Sequence, residues 1–204
     1  QPGAALGTLP TDENVVALQG AADVNLFVKT PQDPWQVYAA SPGSTQVRYV
    51  SGIAKNGALT LTEGDRFTQG DAIHATWDGT ATSALQINNP NATRDLSQIL
   101  EDHGALVFHV RLLQPASAAL HLQMACLGEG CVKNVDLTTL VNASPVNDWN
   151  ELSVDLDCFA AQGIRFEEVT RAFALETSGT LELQLADIKL VPGMGDKAGV
   201  QCQR

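Results

Sequence analysis

Basic residues are scarce: 12 Lys and Arg stand against 23 Asp and Glu in 204 residues, a formal net charge of −11. The few that occur are dispersed, so no patch could neutralise a run of phosphates, which argues against nucleic acid and anionic membrane surfaces as partners. No apolar run approaches the ~20 residues that a helix needs to span a bilayer. The N-terminus lacks a basic segment followed by an apolar one, so any export signal is expected to have been removed already. Aromatics make up only 5% of the chain, which leaves few rings to stack against a sugar and favours a purely structural role. There is no G-x-S-x-G, no H-E-x-x-H and no glycine-rich phosphate loop. Asp155 and Asp157 lie two apart on an expected strand, but no buried acid pocket or motif accompanies them. The chain reads as non-catalytic.

Cysteine is also sparse, with Cys126, Cys131, Cys158 and Cys202 and no C-x-x-C. An even count without a Cys/His cluster points to disulfides, and so to an oxidising compartment, periplasmic or secreted. Four free thiols in a cytosolic protein is the alternative. Cys126 and Cys131 enclose Leu-Gly-Glu-Gly, short and flexible enough to close a strand-end loop. Cys158 with Cys202 would then tie down the C-terminal tail.

Hydrophobic residues at 44% against 17% charged supply enough material for a core. The pattern is period two. Leu106, Phe108, Val110 and Leu112 alternate with Val107, His109, Arg111 and Leu113. After a turn at Gln114-Pro115, Leu120, Leu122 and Met124 alternate with His121 and Gln123. From Trp149 to Asp157, Leu152, Val154 and Leu156 point inward, with Glu151, Ser153, Asp155 and Asp157 outward. These three segments are expected to form one block, with further strands at 15–18, 24–29, 36–40, 47–50, 58–61, 72–77, 84–87, 171–177 and 180–191. Lys55-Asn56-Gly57 signals a hairpin, and short helical or loop segments are expected near 95–100, 136–141 and 159–169. Residues 1–14, rich in Gly, Pro and Ala, read as a linker or fraying terminus, and 15–204 as a single β-sandwich module.

Long polar side chains recur on the outward faces: His74, Gln86, His109, Arg111, His121, Gln123, Glu182 and Gln184. Such groups suit sugar hydroxyls, each of which both donates and accepts, and they serve equally as an ordinary solvated sheet face. Arg111 and His121 are expected on neighbouring strands across the Gln114-Pro115 turn. Trp77 and Trp149 fall in apolar patterns and read as core, whereas Trp35, at the Asp33-Pro34 turn, is expected to be the exposed platform, with Tyr38 or Tyr49.

The segments MACLGEGCVKNVDLTTLV, WNELSVDLDCFAAQG and FALETSGTLELQLADIKLVP resemble the C-terminal module of bacterial family 3 glycoside hydrolases of the ExoP type, exo-β-glucanases and β-glucosidases. VNLFVKTPQDPWQVYAAS and GDAIHATWDG look like the first strands of the same module, so the resemblance runs from about Val24 to Pro192. It implies a galactose-binding-like jelly roll appended to a catalytic body whose nucleophile and acid/base lie in other domains. A contact with polysaccharide, β-glucan above all, follows, and so does the alternative of a module that braces the catalytic body or mediates dimerisation. No cofactor is required. Modules of this class often carry a structural Ca²⁺ between early and late strands, and the carboxylates of Glu63, Asp65, Asp71 and Asp187 would suit one as well as they suit solvent.

Overall fold

The computed structural model describes residues 21–203; the expected linker 1–14 and the Val15–Leu18 run lie outside the described residues. Fourteen strands are described: β1 (Val24–Val28), β2 (Thr30–Pro31), β3 (Gln36–Ala40), β4 (Val47–Tyr49), β5 (Ala54–Asn56), β6 (Leu59–Gly64), β7 (Ala72–Asp78), β8 (Ser83–Asn88), β9 (Ala105–Gln114), β10 (Leu120–Cys126), β11 (Val132–Asp136), β12 (Trp149–Asp155), β13 (Val169–Thr177) and β14 (Thr180–Val191). Short helices cover Ser97–Glu101, Thr138–Asn142 and Asp157–Ala160. The strands form two antiparallel sheets. The first runs β12-β9-β14-β7-β6-β5, with β1 paired to β14 and β2 to β1; the second runs β11-β10-β13-β8-β3-β4. This is the expected jelly-roll sandwich.

Alternation builds the core. Leu106, Phe108, Val110 and Leu112 of β9 face Leu122 and Met124 of β10 and Phe173 and Leu175 of β13 in one buried cluster. Each such side chain contributes roughly 1.5–3 kcal/mol on burial. Phe108 and Phe173 meet edge to face at 5.2 Å. Gln114 and Pro115 do not turn the chain back within one sheet; they carry it from β9 in the first sheet to β10 in the second. The three segments share one core, β9 and β12 pairing with each other in one sheet and β10 facing them from the other.

The Lys55-Asn56-Gly57 hairpin joins β5 to β6, with Gly57 at φ 56°. A side chain there would place its Cβ 2.8 Å from the Ser83 hydroxyl, so both conformation and space demand glycine.

The tail is bound to the sandwich. Cys126–Cys131 and Cys158–Cys202 are both disulfide-bonded. Val200 bridges Val154 in parallel, and the Asp155 N–H donates to the Val200 carbonyl at 2.9 Å. Gly193 and Gly195 donate to the carbonyls of Asp102 and His103, both at 2.7 Å, and the Ala21 N–H reaches the Asp102 carboxylate at 3.1 Å. Asp155 is consequently not the solvent-facing residue expected from alternation. The tail covers it, burial pushes its carboxyl above the ordinary value, and its Oδ1 accepts the Asp157 N–H at 3.0 Å. Asp157 opens a helix instead of extending the strand.

Candidate functional site

Register decides where the polar side chains go. Gln123 of β10 lies opposite Ala174 of β13, Ala174 opposite Gln86 of β8, and Gln86 opposite Tyr38 of β3. Their strand neighbours Leu122, Leu175, Leu85, Ile87, Val37 and Ala39 belong to the core, so this row crosses the outer face of the second sheet. On one side lies the row His121–Glu176–Ala84, on the other Arg171–Asn88–Gln36. The face is nonetheless shaded: Ala174 is 0% exposed and Gln86 only 9%. Outward side chains that see little solvent mean a recessed surface.

Two adjoining hollows mark the recess. One, of about 240 Å³, is lined by Ala40, Ser41, Pro42, Ala84, Gln86 and Glu176. The other, of about 160 Å³, is lined by Gln46, Asn88, Asn89, Pro90, Thr170 and Arg171. They follow β8, whose Ala84, Gln86 and Asn88 span about 13 Å at the usual strand rise. Arg171 Nε donates to Asn88 Oδ1 at 3.0 Å, and Asn88 Nδ2 donates to Gln86 Oε1 at 3.1 Å. Burial lowers the Arg171 pKa against the attraction of Glu176, yet a guanidinium stays charged at any physiological pH. A bulge between Arg171 and Phe173 in the β13–β8 pairing turns both Ala172 and Phe173 inward and leaves Arg171 on the groove.

The outward residues of the first sheet gather on the opposite side of the sandwich. Gln184 of β14 pairs in register with His74 of β7 and with Arg111 of β9, and Arg111 with Trp149 of β12. His74 Nε2 lies 3.0 Å from Glu182, and His109 Nε2 lies 3.3 Å from Glu151. Burial and then the Arg66 charge hold the His109 pKa below its usual value, outweighing Glu151 and Asp187.

The expected site residues thus divide between two faces. Gln86, His121 and Gln123 share the groove of the second sheet; His74, His109, Arg111, Glu182 and Gln184 share the outer face of the first. Arg111 and His121 are not neighbours, because the chain changes sheets between them. Trp35 is not a platform: at 1% exposure it belongs to the core, where it continues the inward set of Val37 and Ala39. Trp149 is not core: it shares its strand face with Glu151 and Ser153 and lies half-exposed beside Arg66, 5.5 Å from ring centroid to guanidinium. Tyr38 does face the groove, though buried among its neighbours, and Tyr49 packs in the core. Arg171, Glu176 and the exposed Phe67 went unremarked in the sequence, yet stepping outward by one from the inward Leu175 would place Glu176 on the groove.

Three of the four carboxylates that would suit Ca²⁺ have other partners. Asp71 accepts the backbone N–H groups of Arg66, Phe67 and Thr68 at 2.6, 2.9 and 2.9 Å, Asp65 accepts that of Gly70 at 2.6 Å, and Asp187 pairs with Arg66. Among the described residues no group of three or more His, Cys, Asp or Glu is placed to hold a metal ion.

Comparisons with known proteins agree with this fold. The extra C-terminal domain of the exo-1,3/1,4-β-glucanase ExoP from a Pseudoalteromonas species is similar in structure, with a TM-score of 0.70 and 20% identity over 89% of this chain and 99% of that one. The same glucanase in a longer form gives a TM-score of 0.69 at 20% identity over 84% of this chain, which spans 21% of that protein's length. A family 30 carbohydrate-binding module of a Clostridium thermocellum cellulosomal cellulase follows at 0.59 and 14% identity, covering 84% and 98%. No curated protein sequence shows significant similarity to the chain. Residues 33–190, most of the sequence, match the Exop_C model, described as galactose-binding domain-like, and the chain belongs to that family.

Proposed function

We propose that this chain is a non-catalytic accessory module of an exported, β-glucan-degrading family 3 glycoside hydrolase, and that it holds polysaccharide in the groove of the second sheet. The observation that carries the reading is the Arg171–Asn88–Gln86 hydrogen-bond relay along two adjoining hollows. The relay fixes donors and acceptors in advance along a recess long enough for more than one sugar ring, and hydroxyls need both kinds of partner. The relatives point the same way: the ExoP domain comes from a β-glucanase, and a family 11 module of similar fold, TM-score 0.50 at 9% identity, binds a β-1,3-1,4-linked tetrasaccharide. Tethering such a contact to a catalytic body raises local substrate concentration without new chemistry. The two disulfides fit a periplasmic or secreted setting.

Affinity electrophoresis through gels containing laminarin, mixed-linkage β-glucan, xylan or agarose tests this. Retardation is expected in β-glucan. Arg171→Ala should weaken it about tenfold or more, the scale of a hydrogen bond to a charged group, and Gln86→Ala about threefold to tenfold, the scale of a neutral one. Free migration in every gel would sink the reading.

One observation favours a second reading, in which the module packs on the catalytic body. Val47, Val50 and Ile53 leave an apolar corner at the β4–β5 connection, with Ile53 75% exposed. Free migration together with binding of the module to its separately expressed catalytic body would select it.

A further inference from the structure

Phe67 is 79% exposed, more than any other large apolar side chain among the described residues. It stands on the loop between β6 and β7, and that loop is held on several sides. Asp71 and Asp65 together accept four backbone N–H groups within it, and Arg66 pairs with Asp187 of β14. The Arg66 guanidinium lies 4.4 Å from the Phe67 ring centroid and 5.5 Å from that of Trp149. A loop this constrained cannot fold its phenyl ring away from water. An apolar group held in solvent by a rigid frame marks a contact surface.

The sheet beside it is polar. Thr62, His74, Gln184, Arg111 and Trp149 form one row across five strands. Four carboxylates on this side each have a basic partner: Asp187 with Arg66, Glu182 with His74, Glu151 with His109 and Asp23 with Lys189. Such a surface carries no excess of positive charge that would draw an anion. Three shielded atoms have no hydrogen-bond partner among the described residues: Arg66 Nε, a donor; Gln184 Oε1, an acceptor; and His109 Nδ1, which serves as either. Each is closed off from solvent, so what this face offers a ligand comes from the outward groups of Thr62, His74, Gln184 and Arg111, which supply both donors and acceptors for hydroxyls. Two aromatic rings complete the requirements for a pyranose, an apolar ring face edged by hydroxyls.

We infer that the outer face of the first sheet, around Phe67, Trp149 and Gln184, is a second contact for neutral glycan, so that one module bridges two polysaccharide chains. This rests on reading the module as glycan-binding. Packed sheets lie about 10 Å apart and their outer faces point in opposite directions, so one straight chain segment cannot occupy both.

The test uses the full chain and a β-1,3-1,4-linked glucan tetrasaccharide. Calorimetry should give two ligands per chain. Phe67→Ser combined with Trp149→Ala should leave one, as should Gln86→Ala combined with Arg171→Ala. Because Trp35 and Trp77 are buried, Trp149 should dominate any ligand-induced change in tryptophan fluorescence. Phe67→Ser alone, at a side chain already in solvent, should weaken the second site about tenfold without lowering thermal stability. One ligand per chain, lost in the groove variants and indifferent to Phe67 and Trp149, would overturn the second site and leave the groove standing. One ligand lost only in the Phe67 and Trp149 variants would overturn bridging and the groove together. No binding at all would remove both, and binding to a catalytic body lost with Phe67→Ser would give this face to a protein partner.

Discussion

Trp35 immediately precedes β3 and continues inward the set of Val37 and Ala39, and its backbone N–H closes a turn on the Gln32 carbonyl at 2.9 Å. Removing so large a buried ring leaves a cavity that its neighbours fill only in part. Trp35→Ala should therefore lower stability by about 3–5 kcal/mol, which a thermal melt would report as a fall of roughly 6–20 °C. Sugar retention per folded molecule should not change. The two misplaced tryptophans share one cause. At Asp33-Pro34 the turn signal outweighed the period, and at Trp149 the apolar character of the ring did. Counting in twos from Val37 puts Trp35 inside, and counting from Leu152 puts Trp149 outside. Period two was legible; where it begins at a strand end was not.

At the scale of elements, Asp71 is the largest single acceptor in the Asp65–Asp71 loop, taking three of its backbone N–H groups. Burial raises the Asp71 pKa, but the backbone N–H groups of Arg66, Thr68 and Phe67 outweigh it and hold the group below its ordinary value. A carboxyl depressed in the folded state stabilises it above the unfolded pKa and ceases to do so as pH falls through the folded one. Asp71→Ala should cost about 1–3 kcal/mol at neutral pH, and its melting temperature should converge with that of the unsubstituted protein in acid. A constant gap down to the lowest accessible pH would refute this. The sequence marked these acids as a cluster, but composition does not distinguish a loop's internal acceptors from metal ligands. Strand positions were far more legible: β3 and β14 fall where alternation predicts them. β11 was missed because only its edge pairs and its side chains lie half in solvent, which blurs the pattern. What alternation could not supply was the sheet to which each strand belongs, and that assignment divides the eight outward polar candidates between two surfaces.

For the whole molecule, the Cys158–Cys202 bond closes a segment with a sequence separation of 44. The chain-entropy model assigns such a loop about 4 kcal/mol. Replacing both cysteines with serine should lower the melting temperature by roughly 8–16 °C and raise amide exchange at Asp155 and Val200, whose N–H groups belong to the tail contact. A melt that does not move would mean that the tail is held by its hydrogen bonds and bridge to β12 alone.

That contact has a mechanical consequence. The incoming chain meets Asp102 at Ala21, and the outgoing chain is fastened beside Asp102, His103 and Asp155 before it reaches Cys202. Entry and exit therefore share one pole of the sandwich. A pull applied between them loads the short span through Asp102 and the sulfur bridge, while both broad faces hang clear of the line of force.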